Sequence, residues 1–220
     1  QHLWRTNSNL WISFCANFKY FLGWLIDKMK QQIEIYGEGS LSRGFPEINS
    51  RFGFDNDKLF LLLTSRNDSF KNNRYLTECL NKTGVSYLHF DIDSALPNVK
   101  TVDTSVITLG NDLFDSNLVG IGVIVAIGGG KIIDTAKAIN YTLALNHVVG
   151  TPTLEQFLSS GEELDKRILL RPFVAIPTTA GSGSEATHFA VVYSGKEKYS
   201  LADQRLIPDM VILDPKSTVS

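Results

Sequence analysis

The stretch Val123-Ile124-Val125-Ala126-Ile127-Gly128-Gly129-Gly130-Lys131-Ile132-Ile133-Asp134-Thr135-Ala136-Lys137 restricts this chain more than any other. A strongly β-forming apolar run passes through three glycines directly into a helical pattern. Glycines carry no Cβ, so the backbone there can approach a ligand closely and adopt positive φ. The helix start offers free N–H groups and the positive end of its dipole, which together suit a pyrophosphate. The spacing is not G-x-G-x-x-G, and the Lys-Ser/Thr ending of a P-loop is absent. Two readings stay open on these residues alone: an anion cradle, or a tight strand-to-helix turn.

The surrounding text alternates between strand-like and helix-like segments. Residues 32–36 alternate polar and apolar before breaking at Gly37-Glu38-Gly39-Ser40. Residues 58–64 form a continuous apolar run, as expected of a strand buried on both faces. A helix is predicted around residues 69–82, a strand over 85–90 and a helix within 102–118. The strand at 121–127, the helix at 134–145 and the strand at 173–176 follow. Strands alternating with helices predict an α/β domain with a parallel, Rossmann-like sheet. A second loop, Pro177-Thr178-Thr179-Ala180-Gly181-Ser182-Gly183-Ser184-Glu185-Ala186-Thr187, follows the last of these strands. Hydroxyls and glycines at a strand's carboxyl end lie where open α/β sheets hold ligands, although Ser184 or Thr187 also suits a helix cap.

Composition narrows the function classes. With 43% hydrophobic and 20% charged residues among 220, the chain is neither disordered nor fibrous. Its 21 basic and 23 acidic residues leave a net charge of −2, which argues against a nucleic-acid or anionic-membrane surface. Two cysteines, Cys15 and Cys79, make no disulfide scaffold and suit a reducing, cytoplasmic setting. The longest apolar run, residues 118–127, is about half a membrane-spanning helix.

Residues 1–30 read differently from the rest. All three tryptophans lie there, and Trp11, Phe14, Phe18, Leu22, Leu25 and Met29 recur at helical steps. An aromatic-rich helix is predicted, packed on its own domain or on another domain or subunit. The division expected is therefore an extension over residues 1–30 and an α/β domain carrying the two candidate nucleotide loops over 31–220. The first residue is Gln1 rather than methionine, and the chain reads as the middle of a longer protein.

Four motifs in order resemble one family. Residues 128–137 resemble the G-G-G-[SK]-x-x-D-x-A-K signature of iron-containing (group III) alcohol dehydrogenases. Residues 177–187 are similar to their P-T-T-x-G-[ST]-G-S-E-x-T segment. Residues 206–215 resemble L-x-P-D-x-x-x-x-D-P, and residues 37–40 the family's G-x-G-S turn. Within the family, residues 184–191 with Lys198-Tyr199-Ser200 look most like the phosphonoacetaldehyde reductase branch, whereas Lys131 is similar to glycerol dehydrogenases.

The resemblance implies the N-terminal half of a dehydroquinate-synthase-like fold, followed by a helical, metal-binding domain. It implies that Gly129, Gly130 and Lys131 hold the coenzyme pyrophosphate, with Gly128 also at the coenzyme site. Asp134 would lie near the nicotinamide, Thr178, Thr179 and Ser182 would contact the coenzyme, and Lys198 would reach the nicotinamide ribose. For Asp134 a partner of its own helix dipole, and for Lys198 a solvated surface charge, remain open. NAD-preferring members carry an aspartate where this chain has Ser65; serine beside Arg66 tolerates a 2′-phosphate, so NADP(H) is favoured over NAD(H).

The family's metal site, Fe2+ or another divalent ion held by an aspartate and three histidines, begins with D-x-x-x-H. His2, His89, His147 and His188 show no such spacing, so no metal ligand is assigned and His188 reads as structural. The expected activity is that of a fragment: the coenzyme half of a metal-dependent NAD(P)H alcohol dehydrogenase or aldehyde reductase, possible in a homo-oligomer and inactive alone. The substrate is expected to be a small aldehyde or alcohol, with phosphonoacetaldehyde reduction to 2-hydroxyethylphosphonate as the specific expectation. A dehydroquinate-synthase or glycerol-1-phosphate-dehydrogenase relative, and a non-catalytic binding or dimerisation domain, are the alternatives.

Overall fold

The computed structural model describes residues 32–52, 59–66, 69–92, 97–115, 120–146 and 153–218. The chain divides into two units, residues 1–31 and 32–220, and everything below concerns the second. The aromatic helix expected over residues 1–30 lies outside the described residues.

Among the described residues eight strands form: β1 (Ile33–Tyr36), β2 (Leu59–Ser65), β3 (Tyr87–Ile92), β4 (Ile121–Gly128), β5 (Phe173–Pro177), β6 (Phe189–Ser194), β7 (Glu197–Ala202) and β8 (Met210–Leu213). Six of them make one sheet in the order β1-β8-β5-β4-β2-β3, with every pair parallel. Strands β6 and β7 form a separate antiparallel hairpin. The helices are α1 (Ser40–Phe52), α2 (Ser69–Asn72), α3 (Arg74–Asn81), α4 (Val99–Asp115), α5 (Gly130–Leu145), α6 (Leu154–Ser160) and α7 (Pro215–Thr218).

Alternate strand residues feed two cores, because side chains of a strand point to opposite faces. Leu61, Leu63, Ile124, Ala126, Phe173 and Ala175 pack with α4, α5 and α6. Phe60, Leu62, Val123, Val125, Val174 and Ile212 pack with α1 and α3 on the other side. Every residue of β4 and β5 is buried, which is why these strands read as continuous apolar runs.

Several boundaries differ from the sequence reading. The helix expected at 69–82 is two pieces, because Asn73 leaves the helical conformation and its side chain caps Leu76 N–H. The helix after the glycines begins at Gly130, four residues before Asp134. Helix α4 starts at Val99, where the Asn98 side chain accepts from Thr101 N–H at 2.7 Å. Strand β3 runs two residues later than predicted. Helix α1 was not legible, since Gly44 and Pro46 interrupt its pattern. It persists because Leu41, Phe45 and Ile48 are fully buried, and because Gly44 lets Ile212 come where a Cβ would sit 2.9 Å from Ile212 Cγ1.

Two carboxylates of the 206–215 segment fasten the sheet's far side. Asp209 accepts Phe173 N–H through its side chain and Ile33 N–H through its carbonyl, joining β5 and β1 at the start of β8. Asp214, 2% exposed, accepts from Leu41 N–H at 3.1 Å, Tyr75 O–H at 2.7 Å and Lys216 N–H at 3.0 Å. Burial pushes its carboxyl up, but these bonds and one from Gly39 N–H outweigh that and hold it below the usual carboxylate range.

Candidate coenzyme site

The sheet order reverses between β2 and β4. From β2 the chain leaves through α3 on one face, whereas from β4 it leaves through α5 on the other. Diverging connections open a crevice at the carboxyl ends of such strands, where open α/β sheets bind ligands. The registers align three ends there: Thr64 lies beside Ile127, and Gly128 beside Pro177. Ser65, the glycine turn and the hydroxyl-rich loop therefore occupy one edge.

The glycines are required by close approach. A Cβ on Gly128 would stand 2.8 Å from Ile132 Cβ. One on Gly129 would stand 2.8 Å from Thr179 Oγ1. One on Gly130 would stand 2.7 Å from Ser182 Oγ and 2.9 Å from Ser184 Oγ. All are closer than side chains tolerate, so the hydroxyl loop rests directly on the turn. Thr178 N–H donates to Gly128 O at 3.0 Å, tying the two loops at their roots. Gly129 caps α5 without a side chain, and Thr179 and Ser182 lie against the Cα atoms of Gly129 and Gly130 at the helix start. Gly181 and Gly183 take φ of +94° and +66°, conformations the loop needs to double back into the 3-10 turn at Ser184–Ala186.

Lys137 ends the 128–137 motif, and the sequence alone assigns it no role. Its side chain is 1% exposed, and its ammonium donates to the carbonyls of Ser184 at 2.6 Å, Thr187 at 2.5 Å and Phe189 at 3.0 Å. Burial pulls it down to about 8, against the opposing pull of Asp134 and Glu185. Asp134, one turn earlier, accepts Val191 N–H at 3.2 Å. Burial raises its carboxyl above the usual range, opposed by Val191 N–H, the Ser184 hydroxyl and Lys137. Asp134 thus faces the β6 hairpin rather than its own helix terminus.

The other expected residues are placed as follows. Lys131 is exposed in the first turn of α5, and Thr178 is half-buried with Thr179 and Ser182 exposed beside it. Ser65 ends β2, half-buried, with Arg66 exposed after it. Lys198 is exposed on β7 opposite Tyr193, on the hairpin rather than the main sheet. Next to Ser65, the buried Thr64 hydroxyl donates to Asp91 at 3.0 Å and lies 2.8 Å from His89 Nε2. His188 stacks on Phe189 with ring centroids 3.9 Å apart. Among the described residues no group of three or more His, Cys, Asp or Glu could hold a metal ion. The residues present fit a dinucleotide's pyrophosphate and do not fit a metal.

Comparison with known proteins decides what this architecture belongs to. The sequence model described as iron-containing alcohol dehydrogenase matches residues 34–215. The chain belongs to the iron-containing alcohol dehydrogenase family. Among curated relatives of this family, the bifunctional aldehyde-alcohol dehydrogenase AdhE of Escherichia coli is 32% identical over 193 residues, covering 81% of this chain and 20% of its own. Among solved structures, the sulfoacetaldehyde reductase of Bifidobacterium kashiwanohense in complex with NAD+ superposes with a TM-score of 0.68 at 21% identity, over 85% of this chain and 45% of its own. The iron-containing alcohol dehydrogenase of Thermococcus thioreducens gives 0.61 at 26% identity, over 86% and 46%. The chain thus spans under half of these solved dehydrogenases and a fifth of AdhE. The expected parallel α/β domain is what the iron-containing alcohol dehydrogenase structures share with it. No helix among the described residues is long and apolar enough to cross a membrane.

Proposed function

We propose that this chain is the coenzyme-holding part of a cytoplasmic, NAD(P)H-dependent alcohol dehydrogenase or aldehyde reductase of the iron-containing family. The observation that carries the reading is the contact of Gly129 and Gly130 with Thr179, Ser182 and Ser184 at the point where the sheet order reverses. When bound, the dinucleotide supplies or accepts hydride at its nicotinamide ring. The protein's part is to bind and orient. Helix α5 directs its first N–H groups and its positive end at the pyrophosphate, and Lys131 adds a screened positive charge. Thr178, Thr179 and Ser182 supply hydroxyls from the facing loop, and Asp134 and Lys198 are assigned to the nicotinamide end. The absence of a carboxylate at Ser65, with Arg66 beside it, supports NADP(H) over NAD(H).

The substrate assigned is a small aldehyde, with phosphonoacetaldehyde as the specific proposal. Support comes from the likeness of residues 184–200 to that branch and from a structural neighbour that reduces sulfoacetaldehyde, also an aldehyde with an anionic group. The metal is assigned to parts of the protein outside the described residues. Fluorescence titration of the protein with NADPH and NADH is the direct test. Saturable binding with the tighter constant for NADPH is expected. No binding of either would overturn the coenzyme site, and a strong NADH preference would overturn the NADP assignment.

A further inference from the structure

Lys137 departs from how lysines normally sit. A lysine this buried normally pairs with a carboxylate or loses its proton, because an isolated ammonium is costly to desolvate. Here each of three donors has one main-chain carbonyl, of Ser184, Thr187 and Phe189, and the ammonium is saturated. All three acceptors belong to the segment leading from the hydroxyl loop into β6. The stem rises from α5, the helix whose first turn forms the other wall of the cradle. One side chain therefore spans both walls. Asp134, on the same helix, takes Val191 N–H just beyond, so the segment is held at four successive points from Ser184 to Val191.

The consequence reaches the ligand side. Ser184 is 8% exposed, and Gly130 admits its hydroxyl only where the loop now lies. Ser182, whose Oγ accepts Ser184 N–H at 3.4 Å, is carried with it. We propose that Lys137 is a positioning residue acting as a built-in organising cation: it fixes the 182–191 segment over the glycine turn and thereby sets coenzyme affinity without touching coenzyme. This rests on the coenzyme reading above.

The test uses the intact protein with Lys137→Ala, Lys137→Met and Lys137→Arg, checked for folding by thermal melting. Amide hydrogen exchange over residues 182–191 is measured without coenzyme, and coenzyme dissociation constants are measured with NADPH and NADH. Lys137→Ala is expected to speed exchange in that segment and to raise the dissociation constant about tenfold or more. Adding n-propylammonium, which replaces the missing methylenes and ammonium, should restore both towards the wild-type values. Tetramethylammonium, which has no N–H to donate, should restore neither. Lys137→Arg, which keeps a charged donor, should lose less than Lys137→Met. Unchanged exchange in a folded Lys137→Met protein overturns the proposal. So does faster exchange with a coenzyme affinity within twofold of wild type, or a loss that propylammonium fails to reverse and arginine fails to lessen. Failure of the wild-type protein to bind either coenzyme is a separate result: it removes the coenzyme site and with it the coupling to affinity, while the exchange data still decide whether the lysine orders the loop.

Discussion

Adding one methyl group at Gly130 separates coenzyme binding from stability. In Gly130→Ala the new Cβ would collide with Ser182 Cβ and stand 2.7 Å from Ser182 Oγ and 2.9 Å from Ser184 Oγ, so Ser182 must retreat by roughly 1 Å to reach ordinary contact at 3.4 Å. Overpacking of this kind costs about 1–3 kcal/mol. Alanine recovers up to about 1 kcal/mol of helix propensity, less at a first-turn position. The net loss, about 1–2 kcal/mol, lowers the melting temperature by only a few degrees in a domain this size. On the proposed coenzyme reading, the methyl also stands where the first-turn amides would meet the pyrophosphate. Loss of one charge-assisted bond of about 1.5–3 kcal/mol weakens binding about ten- to a hundredfold. Gly44→Ala is the control, because its Cβ meets Ile212 in the far core, well away from the sheet's carboxyl edge. It should destabilise the fold by a similar amount and leave the dissociation constant within about twofold. Thermal melting and NADPH fluorescence titration of the two variants give the comparison. A Gly130→Ala protein that binds coenzyme as tightly as Gly44→Ala would refute the cradle.

Ser65→Asp introduces a carboxylate at the end of β2 and should shift the ratio of NADPH to NADH dissociation constants at least tenfold towards NADH; an unmoved ratio would show that Ser65 does not face the ribose. Asp214→Asn removes the charged acceptor shared by Leu41, Tyr75 and Lys216, and should cost about 1.5–3 kcal/mol by denaturant unfolding. Because the folded Asp214 carboxyl lies below its ordinary 3.8, its contribution is present above that pH and is lost as pH falls through the lower folded value. The wild-type protein should therefore lose stability more steeply than Asp214→Asn below about pH 4, and parallel acid transitions would count against this hub. Lys137 shifts in the same sense at higher pH: its folded value of about 8 lies below the ordinary 10.5, so the folded state releases that proton first and stability rises between those values. Lys137→Met should flatten the dependence of melting temperature over about pH 8–10.

What could be read from the sequence was set by burial on both faces. Strands β4 and β5 are wholly buried, so nothing but apolar residues is tolerated and the runs announce themselves. Helix α5 is covered almost all round, yet its start at Gly130 differs from the expected Asp134, because the cap residue Gly129 has no side chain to mark where the helix begins. Helix α1 is hidden for a different reason: its glycine and proline are local breakers, and burial of Leu41, Phe45 and Ile48 with the close contact of Gly44 and Ile212 makes the helix favourable. Glycine spacing leaves a cradle or a turn open; the structure shows the tight turn, and the cradle is the reading proposed above. The turn is tight because the hydroxyl loop rests on it. Lys137 shows the limit of local reading. An apolar helix face with one lysine looks like a solvated edge, since the three carbonyls that satisfy it lie 47, 50 and 52 residues away. A residue that binds no ligand and obeys no local pattern is legible only when both walls it joins are in view. Sequence could place the walls of this site; it could not show what holds them together.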